Sequence, residues 1–156
     1  MALVVGTKAP DFQLFSSDKQ EVKLSDFAGK NLVIHFFPAA FTGVCTEQLC
    51  SSRDDLAYYN NLNSDVVGVS VDMPFSLAVF KEQQKINFPL LSDFNKSLIK
   101  AYDMYFENFA FGMIGVAKRG VVVIDKDGNV AYSEETANPG VQVNYVALKE
   151  AIEKLN

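Results

Sequence analysis

The chain has 156 residues, of which 49% are hydrophobic and 12% aromatic, and it carries a formal net charge of −5. That length and apolar content exclude a disordered chain and suffice for one domain, residues 1–156, with a real core. The acidic balance excludes the clustered Lys and Arg that a nucleic-acid partner requires, and no run approaches the ~20 apolar residues that span a bilayer.

Residues 1–10 lack the basic start, apolar stretch and cleavage site of a leader, so the expectation is a cytoplasmic protein with no membrane contact. Residues 11–15 and 21–24 read as two short edge strands of a hairpin, and Ser25 to Ala28 as one helical turn ended by Gly29. The continuous apolar run over 31–37 is the pattern of a strand buried on both faces. Helical spacing covers 43–60, with Leu49, Leu56 and Tyr59 inward. A second buried strand follows over 65–72. Pro74 opens a helix over 74–85, and 94–102 reads as a weaker helix. Strands over 120–125 and 129–133 flank the turn Lys126-Asp127-Gly128, and an amphipathic helix over 142–155 closes the chain. The order is strand, helix, strand, helix, then hairpin and helix. It predicts an α/β architecture with a central mixed sheet flanked by helices. That is the thioredoxin-like arrangement, here with an N-terminal β-hairpin extension.

The only two cysteines are Cys45 and Cys50. They are too few for a disulfide scaffold and point to catalysis or metal binding. Cys45 lies where a buried strand gives way to a helix. With Thr42 as N-cap, Cys45 takes the third helical position, where free N–H groups and the helix dipole favour negative charge. The thiolate, not the thiol, is the nucleophile. The competing reading is an inert buried cysteine in an ordinary capped helix. Arg119, just before a strand, is the cation that would decide between them. Brought to the helix start, it would favour the thiolate and donate hydrogen bonds to an oxygen substrate. Left at the surface, it would do neither.

Pro38, Thr42 and Cys45 spell P-x-x-x-T-x-x-C, and with Arg119 they form a pattern that resembles the peroxiredoxin family. The likeness runs from Gly6-Thr-Lys-Ala-Pro-Asp-Phe12, through Phe88-Pro-Leu-Leu-Ser-Asp93, to Arg119-Gly-Val-Val-Val-Ile-Asp125. The resemblance implies a thiol peroxidase without metal or organic cofactor. Cys45 would be the peroxidatic cysteine, Thr42 would bond the peroxide, Arg119 would hold the thiolate and polarise the O–O bond, and Pro38 would shield the site. The substrate would be a hydroperoxide and the reductant a thioredoxin-like dithiol. Cys50 and Gln48 resemble the bacterioferritin-comigratory (Q-type) group, in which the second cysteine resolves the first. The stretch Phe36 to Gly43 and Asn138-Pro-Gly140 resemble the one-cysteine alkyl hydroperoxide reductase E group, in which an external thiol does so.

On a regular helix the five-residue spacing gives about 7.5 Å of rise and about 140° of rotation, hence Cα atoms roughly 8.7 Å apart. A disulfide needs about 7 Å or less, so a Cys45–Cys50 bond requires the helix to unwind. His35, the only histidine, reads as a core or interface residue rather than a partner of Cys45, and two cysteines with one histidine lack zinc spacing. Asp72 and Asp93 read as caps of helices or turns, and Arg53 as a brace of the helix. Residues 104–113, rich in Phe and Met without clean periodicity, read as a collar beside the site, serving a homodimer contact or an organic peroxide tail. A general thiol–disulfide oxidoreductase would need Cys-x-x-Cys, which is missing.

Overall fold

Every side chain of the strand Asn31–Phe36 is buried, which requires cover on both faces of the sheet that contains it. The computed structural model, which describes residues 3–156, supplies that cover. In chain order the elements are β1 (Gln13–Ser16), β2 (Glu21–Lys23), a 3-10 turn (Leu24–Phe27), β3 (Asn31–Phe36), α1 (Gly43–Asp54), α2 (Leu56–Asn61), β4 (Ser64–Ser70), α3 (Pro74–Gln84), β5 (Leu90–Ser92), α4 (Ser97–Ala101), β6 (Tyr105–Phe106), a 3-10 turn (Ala110–Gly112), β7 (Val116–Ala117), β8 (Gly120–Ile124), β9 (Val130–Glu135) and α5 (Tyr145–Glu153). Seven strands form one mixed sheet in the order β2-β1-β5-β4-β3-β8-β9, and β6 pairs with β7 in a separate ribbon. β3, β4 and β5 run parallel, while β8 lies antiparallel to β3 with Phe36 opposite Gly120.

The alternation of β3 and β4 splits the core in two. Ile34, Phe36, Val67 and Val69 pack with Leu98, Ile99 and Tyr102 from α4 and its end. Val33 and Val66 pack on the other face with Leu49, Tyr59, Leu77, Phe80, Leu148 and Ile152 from α1, α2, α3 and α5. The mixed sheet between helices is thus the architecture the element order predicts.

Several boundaries differ from the sequence expectation. The helix expected over 43–60 breaks at Asp55, whose ψ of 6 leaves the helical region. Asp54 and Asp55 are carboxylates at a helix C-terminus, where the dipole disfavours negative charge, and Asp55 instead pairs with Lys149 of α5 at 2.9 Å. The helix expected over 94–102 is confined to Ser97–Ala101, because Lys96 is left-handed (φ 67) and the Asp93 carboxylate accepts from Leu98 N and Ile99 N at 3.1 and 2.8 Å. The last helix starts at Tyr145, since the Asn144 side chain accepts from Ala147 N. β5 was not expected: three residues after a proline are too few to show a period. It pairs with β1, so only β2 of the N-terminal hairpin is an edge strand.

Gly120 sits where β8 meets β3. A Cβ there would lie 2.5 Å from the Glu134 carbonyl oxygen and 2.9 Å from Met104 Cε. Because the closest obstacle is backbone, Gly120→Ala should force β9 outward and cost about 1–3 kcal/mol, read as a lower urea midpoint at unchanged slope.

Candidate active site

The C-terminal end of β3 delivers the chain into a loop that opens α1. Pro38, at the start of this loop, is buried. The loop is fixed from outside α1: Ala40 N donates to Asp72 Oδ2 at 2.8 Å, and Asp72 also accepts from Ser70 Oγ at 2.7 Å. Phe41 adopts a left-handed φ of 68, and its ring meets Phe80 of α3 edge-on at 5.3 Å. Asp72 and Asp93 thus cap a loop and a helix, as their sequence context suggests.

Thr42 occupies the N-cap position with extended dihedrals, but its side chain makes no capping bond. Its hydroxyl donates to Ala39 O at 3.0 Å, which corrects the expectation of a side-chain cap. Cys45 is the third helical residue and only 1% exposed. Arg119, 74 residues further along, has its Nη2 donating to Cys45 Sγ at 3.1 Å. It is 3% exposed, which rules out the solvated-arginine reading. Its Nη1 donates to Gln48 Oε1 at 2.8 Å and its Nε to Pro139 O at 2.9 Å.

Behind Arg119 lies a second tier. Gln48 Nε2 donates to Phe36 O at 3.3 Å and Gly120 O at 3.4 Å, and stands 3.1 Å from His35 Nδ1. The other ring nitrogen of His35 is 2.8 Å from Ser52 Oγ. His35 is fully buried, and burial pushes its pKa down to about 4. Both nitrogens face protein partners, so it is a core histidine that does not touch Cys45. Sequence reasoning missed this tier and the Pro139 carbonyl. The available signal was Gln48 itself, one helical turn after Cys45 and therefore on the same face.

Cys45, Thr42 and Arg119 line a cleft of about 380 Å³ whose other walls include Phe106, Phe109, Ala110 and Pro139. Pro38 does not line it. The 104–113 segment divides in function: Met104 is buried in the core, Phe106 and Phe109 wall the cleft, and Phe111 points outward, 98% exposed. The last is followed by two further exposed apolar residues, Met113 and Ile114.

Cys50 lies on the same unbroken helix but faces elsewhere. Its thiol donates to Gln84 Oε1 of α3 at 3.7 Å. Arg53 Nη1 donates to Gln84 O at 2.5 Å, and Asn87 Nδ2 donates to Arg53 O at 3.2 Å, so Arg53 braces α1 as expected. Both thiols are free.

The sequence model of the AhpC/TSA family matches residues 5–133. The chain is similar to alkyl hydroperoxide reductase E of Mycobacterium tuberculosis, 37% identical over 135 residues that cover 85% of each protein. It is similar to peroxiredoxin Bcp of Bacillus subtilis, 35% identical over 132 residues that cover 83% of each. Among solved structures, a peroxiredoxin-like protein from Aquifex aeolicus superposes with a TM-score of 0.89 at 28% identity, covering 100% of this chain and 90% of the other.

The buried histidine makes stability pH-dependent. Its folded pKa is depressed, so the unfolded chain takes up a proton that the folded chain refuses as pH falls below about 6.5. Stability should fall by about 1.4 kcal/mol per pH unit, reaching about 3 kcal/mol near pH 4. Asp93, whose pKa burial raises, acts in the opposite sense, so the histidine's share of the urea-unfolding slope between pH 6.5 and 5 is read by difference from a variant without the imidazole. His35→Asn should flatten that slope.

Proposed function

The chain belongs to the AhpC/TSA family and is a thiol peroxidase of the peroxiredoxin type, and on that premise we propose that Cys45 is its peroxidatic residue. The observation that carries the assignment is the 3.1 Å contact between the buried Arg119 guanidinium and Cys45 Sγ. A cation held there favours sulfur as the thiolate and offers donors to an oxygen arriving in line.

The thiolate attacks the outer oxygen of a hydroperoxide. The S–O bond forms as the O–O bond breaks, the departing oxygen takes a proton and leaves as water or an alcohol, and Cys45 becomes a sulfenic acid. Arg119 stabilises the charge passing from sulfur to the leaving oxygen. The Thr42 hydroxyl turns from Ala39 to the peroxide, and the Cys45 N–H at the helix start completes the track of donors. Pro38, buried outside the cleft lining, keeps water from the site as the family motif implies. The aromatic wall of Phe106 and Phe109 suits organic as well as hydrogen peroxide. The chemistry asks for no metal and no organic cofactor.

Cys50 resolves the sulfenic acid. Its thiolate attacks Cys45 Sγ, hydroxide leaves with a proton as water, and an intramolecular disulfide forms. Cys50 faces α3 while Cys45 faces the cleft, so the first turns of α1 unwind for the sulfurs to meet. A thioredoxin-like dithiol then returns both thiols. Residues 1–156 act as one domain, in a cytoplasmic setting where such reductants occur. The exposed apolar tip around Phe111 serves a homodimer contact.

One equivalent of peroxide followed by mass spectrometry separates the routes. The native chain should lose two thiols to a Cys45–Cys50 disulfide, Cys50→Ser should stop at sulfenic acid and pass to sulfinic acid only on a second equivalent, and Cys45→Ser should consume no peroxide. A native chain that stops at sulfenic acid would instead identify an external thiol as the resolving partner. A disulfide form retaining the whole of α1 would contradict unwinding. For the dimer contact, Phe111→Asp should lower the sedimentation coefficient, and an unaltered profile counts against it.

A further inference from the structure

We propose that His35 is a positioning residue for Cys45, acting through Gln48 and Arg119; the inference rests on the peroxidase reading above. The argument is one of donors and acceptors. Two backbone carbonyls, Phe36 O and Gly120 O, face one end of the Gln48 amide, and the Arg119 Nη1–H faces the other. Only one orientation satisfies all three: NH2 toward the carbonyls, Oε1 toward the guanidinium. His35 Nδ1 stands 3.1 Å from that same NH2 group, so it must be the acceptor. The ring proton is therefore on Nε2, where it donates to Ser52 Oγ.

The carbonyl contacts of Gln48 are long, at 3.3 and 3.4 Å, whereas the histidine contact is the shortest its NH2 group makes. His35 is thus the principal anchor of the amide. The amide in turn fixes Nη1 of Arg119, and the opposite arm of the same rigid fork reaches Cys45 Sγ at 3.1 Å. No atom of His35 touches the cleft or the sulfur. Its effect is transmitted as geometry, and a small displacement of a catalytic donor costs up to about 10²-fold in rate.

The test uses three substitutions in a Cys50→Ser background, so that Cys45 is the sole thiol, with hydrogen peroxide as probe. His35→Leu keeps an apolar filler and removes the acceptor. His35→Asn places an oxygen where Nδ1 stood, and His35→Gln places its polar atoms further out, toward Ser52. Oxidation of Cys45 in His35→Leu should be about ten- to a hundredfold slower at pH 7, with its rate–pH profile displaced to higher pH. Asn should restore most of the rate and profile; Gln should not. Thermal unfolding of each variant separates lost fold from lost alignment. A His35→Leu rate and profile equal to those of the parent overturn the proposal, as do equal rates for Asn and Gln should the Leu variant fail to fold. A parent that itself ignores peroxide overturns the peroxidase reading instead.

Discussion

A guanidinium that is buried without a carboxylate partner among the described residues organises this molecule. Among the described residues, the partners of Arg119 are a glutamine oxygen, a backbone carbonyl and the Cys45 sulfur. Taking a cation out of water costs several kcal/mol unless an anion and good hydrogen bonds compensate. Two neutral acceptors compensate in part. The third partner is the Cys45 sulfur at 3.1 Å, which as a thiolate would be the anion the guanidinium lacks, so on the proposed mechanism the cost of burying the arginine is linked to the chemistry that it supports.

Much of the architecture exists to hold that arrangement. Arg119 and Cys45 are brought together because β8 pairs antiparallel with β3, placing Gly120 opposite Phe36 just before the loop that opens α1. Gly120 leaves room for Met104 and the Glu134 carbonyl to close over the strand start. The carbonyls of Phe36 and Gly120, paired across that register, both accept from Gln48. One stretch of sheet thus aligns the arginine, the glutamine behind it and the helix that carries the thiol. The two cysteines share a helix but not a neighbourhood, one under the arginine and the other against α3.

The sequence made the P-x-x-x-T-x-x-C motif and the sheet's central strands legible, for different reasons. β3, β4 and β8 are built around the apolar runs Leu32 to Ile34, Val66 to Val69 and Val121 to Ile124, the pattern that burial on both faces requires. Pro38, Thr42 and Cys45 lie close in sequence and could be read together. Arg119 could be named but not placed, because its distance from Cys45 depends on strand pairing across 74 residues. The short elements β5, β6 and β7 carry too few residues to show a period. The hydroxyl of Thr42 could not be followed either: its position matches a cap, yet a nearer carbonyl captures it. Gln48 and His35 were visible as residue types, but their link is a matter of facing atoms that no spacing rule encodes.

The loop from Pro38 to Phe41 is held by Asp72 and Phe80, groups that belong to the β4 end and α3 and not to α1. The approach to α1 is therefore mounted on the frame of the protein, while the helix start, Thr42 to Cys45, is itself a wall of the cleft. Were the first turns of α1 to unwind on the resolving route proposed above, the ties of Ala40 and Phe41 would lie outside the unwound segment. Re-forming the helix would then start from an entry loop already in shape, so turnover by that route would rebuild the wall of the site and not its foundation.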